Sequence, residues 1–318
     1  MMFRGKVSGS AYAFDVTERE HEYLVQRLNQ QDLDRNLCVS TSSLFKWMQA
    51  ARMELAWLQA GYKNLSHVEP QLPRRLLVAS QGLRIIRTAA LSEGLHRSVL
   101  TRVSIGKVGK TSMEFRYEVF FDADKVADGC TVMIFATGPP GSFTPTPVPE
   151  DLKALAAMGL DASPTELSRS VPDQVPANAY RTSASVRFSD EDLNKHANHS
   201  AQARFFEDAR EELMADTKAP PELRRLASGH TEAVAITYLA EAHALDELGI
   251  FLAPSKEPLA LDVWVQRTQP DPRLLAKGPS PLPNACAEVL MLEPTLRRGR
   301  IRVANERSGA TDSFTARL

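Results

Sequence analysis

The chain has 318 residues, 43% of them hydrophobic and 24% charged, which is enough to form one large or two medium globular domains with real cores. Its 38 basic and 39 acidic residues give a net charge of -1, so there is no overall attraction to nucleic acid or to a membrane surface. Cys38, Cys130 and Cys286 form no CxxC pair, and no run of about 18 apolar residues occurs. We expect a cytoplasmic protein, with an organelle address left open, that binds no nucleic acid and has no membrane span.

The first half of the chain predicts one long helix followed by short strands. Residues 42–58 are rich in Ala, Phe, Trp, Met and Leu, with apolar residues on more than one face, as is typical of a helix enclosed by other structure. Between 111 and 121, apolar residues alternate with charged ones, which indicates a strand. The predicted strands are LLVAS (76–80), SVLTRVSI (98–105), TSMEFRYEVFF (111–121) and CTVMIFAT (130–137).

Proline marks the middle of the chain. The segment TGPPGSFTPTPVPE (137–150) holds five prolines and is predicted not to continue a strand ladder, because proline has no backbone donor. A short helical pattern, 150–160, comes next. We interpret residues 137–179 as a Pro-rich linker, and the later cluster from Pro270 to Pro283 as a long loop.

A repeat relates the two halves. When the sequence is shifted by 158 residues, 32–55 aligns with 190–213, and eight of the 24 positions are identical, against about two expected by chance. The identical pairs are Asp32/Asp190, Asp34/Asp192, Asn36/Asn194, Ser42/Ser200, Ala51/Ala209, Arg52/Arg210, Glu54/Glu212 and Leu55/Leu213.

The second half also predicts one long helix, 199–214, and several strands. The strand patterns are AVAITYLA (233–240), LALDVWVQ (259–266), CAEVLMLE (286–293) and GRIRVA (299–304). We therefore predict an α+β fold of two tandem units, each an antiparallel sheet wrapped around a long central helix.

Polar residues crowd the start of the second helix. Asp190, Asp192, Asn194, His196 and Asn198 occupy alternate positions just before it. They could be turn and cap residues, since Asp and Asn favour such loops. They could equally form a catalytic loop, because unpaired N–H groups and the positive end of the helix dipole would polarise a carbonyl group there.

These residues carry a family resemblance. VRFSDEDLNKHANHSAQARFFEDARE (186–211) resembles the signature loop and central helix of hotdog-fold thioesterases of the 4-hydroxybenzoyl-CoA thioesterase type. DLNKHAN is similar to the Asp-x-Asn-x-His-x-Asn segment of acyl-ACP thioesterases. The resemblance implies an N-terminal hotdog at 1–136 and a C-terminal hotdog at 180–318, joined by the linker. The two would pair as an intrachain pseudo-dimer, with a homodimer possible.

The resemblance also implies a site and an activity. Asp192, Asn194 and His196 fall on the motif, and Glu241, in ITYLAEAHALDEL (236–248), matches the carboxylate of the family's Tyr-x-x-Glu. The implied reaction is hydrolysis of an acyl-CoA or acyl-ACP thioester with no metal and no cofactor. Asp192 or Glu241 would activate water or attack the thioester directly, and these alternatives stay open. The sequence departs from the family pattern at Lys195, His199 and Gln202.

As substrate-binding residues we predict Asn198, Phe205, Phe206, Arg298 and Arg300. The aromatic pair would line the acyl pocket, or else belong to the core. The arginines would contact CoA phosphates or the acidic face of a carrier protein, or else guard a solvated edge strand.

The first copy is predicted to have a degenerate site. Cys38 aligns with His196, and Arg87 aligns with Glu241 when the shift is 154. A cysteine nucleophile is conceivable, but a small buried thiol fits Cys38 better. The main alternative function is therefore a non-catalytic acyl-thioester-binding or regulatory hotdog module, and a hotdog dehydratase or hydratase is a further one.

Overall fold

A computed structural model describes the greater part of the chain. The described residues are 14–16, 21–27, 32–34, 38–59, 75–87, 98–138, 143–148, 153, 171–192, 195–268 and 295–303.

We call the elements up to residue 148 the first half. It contains one long helix, α1, at Thr41–Gln59. Its strands are β1 (Phe14–Val16), β2 (His21–Arg27), β3 (Arg75–Ile85), β4 (Ser98–Val108), β5 (Ser112–Phe121), β6 (Asp124–Thr137) and β7 (Thr144–Pro145).

The second half starts at residue 180. It contains a long helix, α2, at His199–Ala215 and a short one, α3, at Pro221–Ala227. Its strands are β8 (Tyr180–Ser185), β9 (Thr231–Tyr238), β10 (Glu247–Pro254), β11 (Ala260–Arg267) and β12 (Thr295–Val303).

The strands form one continuous antiparallel sheet across both halves. Its order is β1-β2-β4-β5-β6-β3-β9-β12-β11-β10-β8, with β7 added beside β6. The order β2-β4-β5-β6-β3 in the first half matches β8-β10-β11-β12-β9 in the second. The halves meet where β3 pairs with β9, and Gly82 lies opposite Ala235 there. The predicted α+β class is confirmed, and the repeated strand order agrees with two tandem units.

Burial explains why both long helices form. Leu44, Phe45 and Met48 of α1 are completely buried. Leu213 of α2 is also completely buried, and Phe206 of α2 is 1% exposed. Helix α1 packs against β2, β4 and β5, α2 packs against β8 and β10, and the two helices also contact each other. Each large apolar side chain that is fully buried contributes roughly 1.5–3 kcal/mol. Packing on several faces, rather than one amphipathic stripe, therefore stabilises these helices.

The structure corrects the prediction for the proline-rich segment. Strand pairing does not stop there, because Thr144 and Pro145 return beside β6, opposite Thr137 and Ala136. A proline is tolerated in a short edge strand, where its missing N–H would not face a partner strand. Most of the predicted helix 150–160, and all of the predicted strand 286–293, lie outside the described residues.

Both predicted long helices are confirmed to within one residue at each end. Among the described helices, none combines the length and the hydropathy that crossing a membrane requires.

Candidate active site

A tight turn directly precedes α2. The N–H of Asp192 donates to the carbonyl oxygen of His196 at 3.0 Å, and Glu191 and Ala197 form an antiparallel bridge. Lys195 has a φ of 60°, in the left-handed region that costs a non-glycine residue roughly 1–2 kcal/mol. The turn folds back on itself and brings Asp192 and His196 to the same end of α2.

The same turn occurs in the first half. The N–H of Asp34 donates to the carbonyl oxygen of Cys38 at 2.7 Å, which repeats the bond between Asp192 and His196 found 158 residues later. The bridge that closes each turn obeys the same shift. The repeat in the sequence is therefore also a repeat of backbone hydrogen bonds.

A cavity of about 470 Å³ lies in front of the second turn. Asp192, His196 and Glu241 all line it, together with Gln49 and Arg52 of α1. Most of its other walls are apolar and include Leu76, Val78, Met133, Ile134, Phe143 and Leu239. A cavity of this size with apolar walls and a few convergent polar groups is typical of a small-molecule site. Both halves of the chain build it.

Asp192 and His196 lie side by side at this cavity. Nδ1 of His196 is 3.6 Å from Oδ1 of Asp192, and the two side chains are 20% and 19% exposed. The distance is longer than a hydrogen bond. Acid and base groups often sit this far apart before a substrate is bound and approach each other in its complex. The pair is accessible to a ligand in the cavity.

Glu241 reaches the cavity from the loop after β9. Nη2 of Arg267 holds this loop by donating to the carbonyl oxygen of Glu241 at 3.1 Å and to Oδ2 of Asp246 at 2.9 Å. His243 ties the loop to the turn, because its Nδ1 donates to the carbonyl oxygen of Lys195 at 2.7 Å. Oε1 of Glu241 is buried, and no donor in the described part of the chain contacts it. The Glu241 side chain as a whole is 21% exposed and lines the cavity, and its Oε2 lies 3.8 Å from Nε2 of His243.

Arg52 extends from α1 to the start of α2. Its Nη2 donates to Nε2 of His199 at 3.0 Å, and its Nη1 donates to the hydroxyls of Tyr117 at 2.9 Å and Thr131 at 3.4 Å. A guanidinium group can only donate, so Nε2 of His199 is the acceptor and carries no proton. Burial first, and then Arg52 and His196, lower the pKa of His199 well below its ordinary value. His199 is therefore neutral, and a buried cation lies beside it.

The first turn of α2 contains two further polar side chains. Oδ1 of Asn198 caps the helix by accepting from the N–H of Ser200 at 3.2 Å. Gln202 lines the cavity and donates its side-chain N–H to the carbonyl oxygen of Ala197. Its Oε1 is buried and contacts no donor among the described residues.

The other predicted site residues lie either outside the cavity lining or outside the side chains that the structure describes. Asn194 lies outside the described residues. Phe205 and Phe206 are buried in the core, and neither is among the residues that line the cavity. Arg298 and Arg300 lie on β12, which pairs with β11 on one side and β9 on the other, so the alternative that they guard an edge strand is wrong. The substrate contacts of these residues, and of Asn198, stay predictions.

The equivalent positions of the first half have lost the acid and base groups. Burial and the nearby Asp34 raise the pKa of the Cys38 thiol, so it is protonated at neutral pH and is a poor nucleophile. Arg87 pairs with Asp124 at 3.2 Å on the surface. Neither an imidazole nor a carboxylate stands at these two positions.

Sequence reasoning missed three residues of the site: Gln49, Arg52 and His243. The sequence marked Arg52 only as a member of an identical pair in the repeat. Nothing in the sequence indicated that Gln49 or His243 belongs to a site. Within the described ranges, no group of three or more His, Cys, Asp or Glu side chains is arranged to hold a metal ion.

Comparison with solved structures identifies the fold. An acyl-ACP thioesterase from Bacteroides thetaiotaomicron superposes with a TM-score of 0.63 at 12% identity, over 90% of this chain and 98% of that one. The 12:0-ACP thioesterase from Umbellularia californica superposes with a TM-score of 0.62 at 11% identity, over 90% and 98%. The chain has the hotdog fold of these thioesterases. No protein-family model matches the sequence. No curated protein sequence matches it either.

The hotdog fold accounts for the place of the cavity. Helices α1 and α2 are the central helices of two hotdog units whose sheets join at β3 and β9. The cavity lies at this junction, since β3 and β6 of one hotdog and α2 of the other both line it. A site at such a junction takes side chains from both hotdogs.

Proposed function

We propose that this chain is an acyl thioesterase that hydrolyses an acyl-CoA or acyl-ACP to the free acid, with no metal and no organic cofactor. One observation carries the proposal: Asp192, His196 and Glu241, from two separate loops, line one largely apolar cavity at the start of α2. The fold, which is that of two acyl-ACP thioesterases, supports it.

The cavity suits a thioester because its two parts differ in polarity. Its apolar walls accept the acyl chain, and the carbonyl group lies at the end of α2. There the backbone N–H groups and the helix dipole stabilise the negative charge that develops on the carbonyl oxygen. His196 donates a hydrogen bond to the same oxygen or to the attacking water.

A carboxylate supplies the base. Glu241 or Asp192 removes a proton from water as the water oxygen forms a bond to the acyl carbon. The C–S bond then breaks, and the proton passes to the leaving thiolate, which gives a free acid and a thiol. Direct attack by a carboxylate, with an anhydride intermediate, is the other route.

Incubation of the purified protein with acyl-CoAs and acyl-ACPs of short, medium and long chain, in the presence of a thiol reagent, tests the function. Saturable release of thiol supports the thioesterase. Saturable binding of an acyl-CoA without thiol release would instead support the acyl-thioester-binding module. If the protein neither releases thiol nor binds an acyl-CoA, both functions are contradicted.

A single turnover in water labelled with oxygen-18 separates the two routes. General-base attack puts the label into the acid product. An anhydride at Glu241 or Asp192, hydrolysed at its protein carbonyl, puts the label into that side chain, where mass spectrometry of peptides detects it.

A further inference from the structure

The starts of α1 and α2 are equivalent under the 158-residue shift, but the start of α1 is closed. The carboxylate of Glu207, which belongs to α2, accepts from the backbone N–H of Thr41 and from that of Ser42, the latter at 3.2 Å. Oγ of Ser40 accepts from the N–H of Ser43 at 3.1 Å. Side chains therefore satisfy the first three backbone donors of α1.

The residue of α1 that corresponds to Glu207 in the repeat is uncharged. Shifting Glu207 back by 158 residues gives Gln49 of α1, and Gln49 lines the cavity together with His199, the first residue of α2. Among the described side chains, Asn198 caps this end, where its Oδ1 accepts from the N–H of Ser200 at 3.2 Å. Glu207 of α2 therefore bonds to the start of α1, and Gln49, its equivalent under the repeat, lines the cavity at the start of α2.

A second, independent difference marks the α2 end as the one that takes a ligand. Gln202, on the first turn of α2, is only 7% exposed, lines the cavity and has an Oε1 that contacts no donor in the described chain. Its equivalent in α1 is Leu44, which is completely buried in the core. The start of α2 thus has a buried hydrogen-bond acceptor beside it, Gln202, and the start of α1 has an apolar side chain, Leu44, at the equivalent position.

We propose that the uncharged side chain of Gln49 keeps the start of α2 free for the thioester, whereas the carboxylate of Glu207 closes the equivalent start of α1. This inference rests on the proposed function and adds a positioning residue from the first hotdog to the site. The physical reason is competition. Backbone N–H groups at a helix start bind one anion, and a resident carboxylate would hold the place that the developing oxyanion needs.

Substitution of Gln49 tests the proposal through hydrolysis kinetics. Gln49→Glu should recreate the contact that Glu207 makes and lower kcat/KM by at least about 100-fold, the range expected when oxyanion donors are lost. Gln49→Asp adds the same charge on a side chain one methylene shorter, and Gln49→Leu removes the amide. In each of these two variants, kcat/KM should stay at least tenfold higher than in Gln49→Glu. Equal losses in all three variants would overturn the proposal.

The pH dependence gives a readout that a loss of packing would not alter. A glutamate at position 49 would be charged near neutral pH and would gain a proton in acid. Protonation neutralises that carboxyl as the pH falls, so the rate of Gln49→Glu relative to wild type should rise toward low pH. A ratio that is flat with pH would contradict closure by a carboxylate.

Amide hydrogen exchange supplies a test that needs no activity. Glu207→Gln should speed exchange at Thr41 and Ser42 while leaving hydrolysis within about twofold of wild type. Gln49→Glu should slow exchange at His199, whose N–H is equivalent to that of Thr41 in the repeat. If Glu207→Gln abolished hydrolysis, the thioester would react at the start of α1 and not of α2, and the inference would be wrong.

If the wild-type protein hydrolyses no thioester, the proposed function fails on its own. The exchange measurements then still decide the inference. Unchanged exchange at Thr41 and Ser42 in Glu207→Gln would overturn the closure of α1.

Discussion

Arg52 and His199 belong to different hotdogs, and a hydrogen bond of 3.0 Å from Nη2 of Arg52 to Nε2 of His199 joins them beside the candidate active site. The bond fixes the imidazole as the tautomer with its proton on Nδ1. It also ties the first residue of α2 to the middle of α1, so the first hotdog helps to set the position of the helix end where the thioester carbonyl would lie.

We expect the protein to lose stability as the pH falls below about 6.5, the ordinary pKa of histidine. Burial, Arg52 and His196 lower the pKa of His199 in the folded chain. The unfolded chain therefore binds more protons between pH 6.5 and that lowered value, and acid favours unfolding. Melting temperatures measured from pH 7.5 downward should show a shallower fall in His199→Gln, which keeps an acceptor for Arg52 but has no proton to gain. An identical slope would contradict the assignment.

Removal of the Arg52 cation should destabilise the protein strongly. Arg52→Met retains much of the side-chain volume but leaves acceptors on Tyr117, Thr131 and His199 without their buried donor. We expect a loss of about 2–4 kcal/mol in the free energy of unfolding, measured with chemical denaturant. Arg225→Met, at an exposed position of α3, is the matched control and should change it by less than about 0.5 kcal/mol.

Loss of either cavity carboxylate should reduce turnover with little effect on folding. Asp192→Ala and Glu241→Ala should each lower kcat at least about 100-fold, as expected when an acid or base group is removed. Glu222→Gln removes an exposed carboxylate of α3, outside the cavity, and should retain the full rate. Full activity in both alanine variants would show that the reaction uses other groups.

The carboxylate of Glu207 should make stability decrease as the pH rises above about 4.3, the ordinary value for glutamate. Burial raises the pKa of this group in the folded chain, even though the bonds from Thr41 and Ser42 oppose the shift. The folded chain therefore binds more protons than the unfolded one between the two pKa values, and its advantage is lost as the pH passes through the raised pKa. In Glu207→Gln, this part of the pH dependence of the melting temperature should disappear.

Replacement of Phe206 separates a core role from a substrate role. Phe206 is 1% exposed in the main core. Phe206→Ala should cost about 3–5 kcal/mol of stability. Phe206→Leu, a milder change, should leave the preference among acyl chain lengths as in wild type. A shifted chain-length preference in Phe206→Leu would instead support the substrate contact predicted from the sequence.

The sequence predicted the helices better than the strands, for a physical reason. Strand β10 is apolar at most positions and ends at Pro254, so it shows no alternation with polar residues. Strand β8 is the opposite case. It reads YRTSAS, with few apolar residues, because every second position faces solvent at the edge of the sheet. The pairing of β3 with β9 joins segments about 150 residues apart, which local patterns cannot reveal.

The sequence predicted only those residues of the candidate site that lie in short local motifs. Asp192 and His196 lie in one turn, and Glu241 follows a recognisable strand. Gln49 and Arg52 enter the cavity from the other hotdog, and the contact between Arg52 and His199 spans 147 positions. Such a contact follows from how two sheets and two helices meet, so only the folded chain reveals it.

The pairing of β3 with β9 has a further consequence for how the molecule could be divided. Each of these strands covers the hydrogen-bonding edge of the other, so either half produced alone would present a bare edge open to unwanted partners. If the gene is divided between β7 and β8, the two polypeptides should aggregate when each is expressed alone and should fold when they are expressed together.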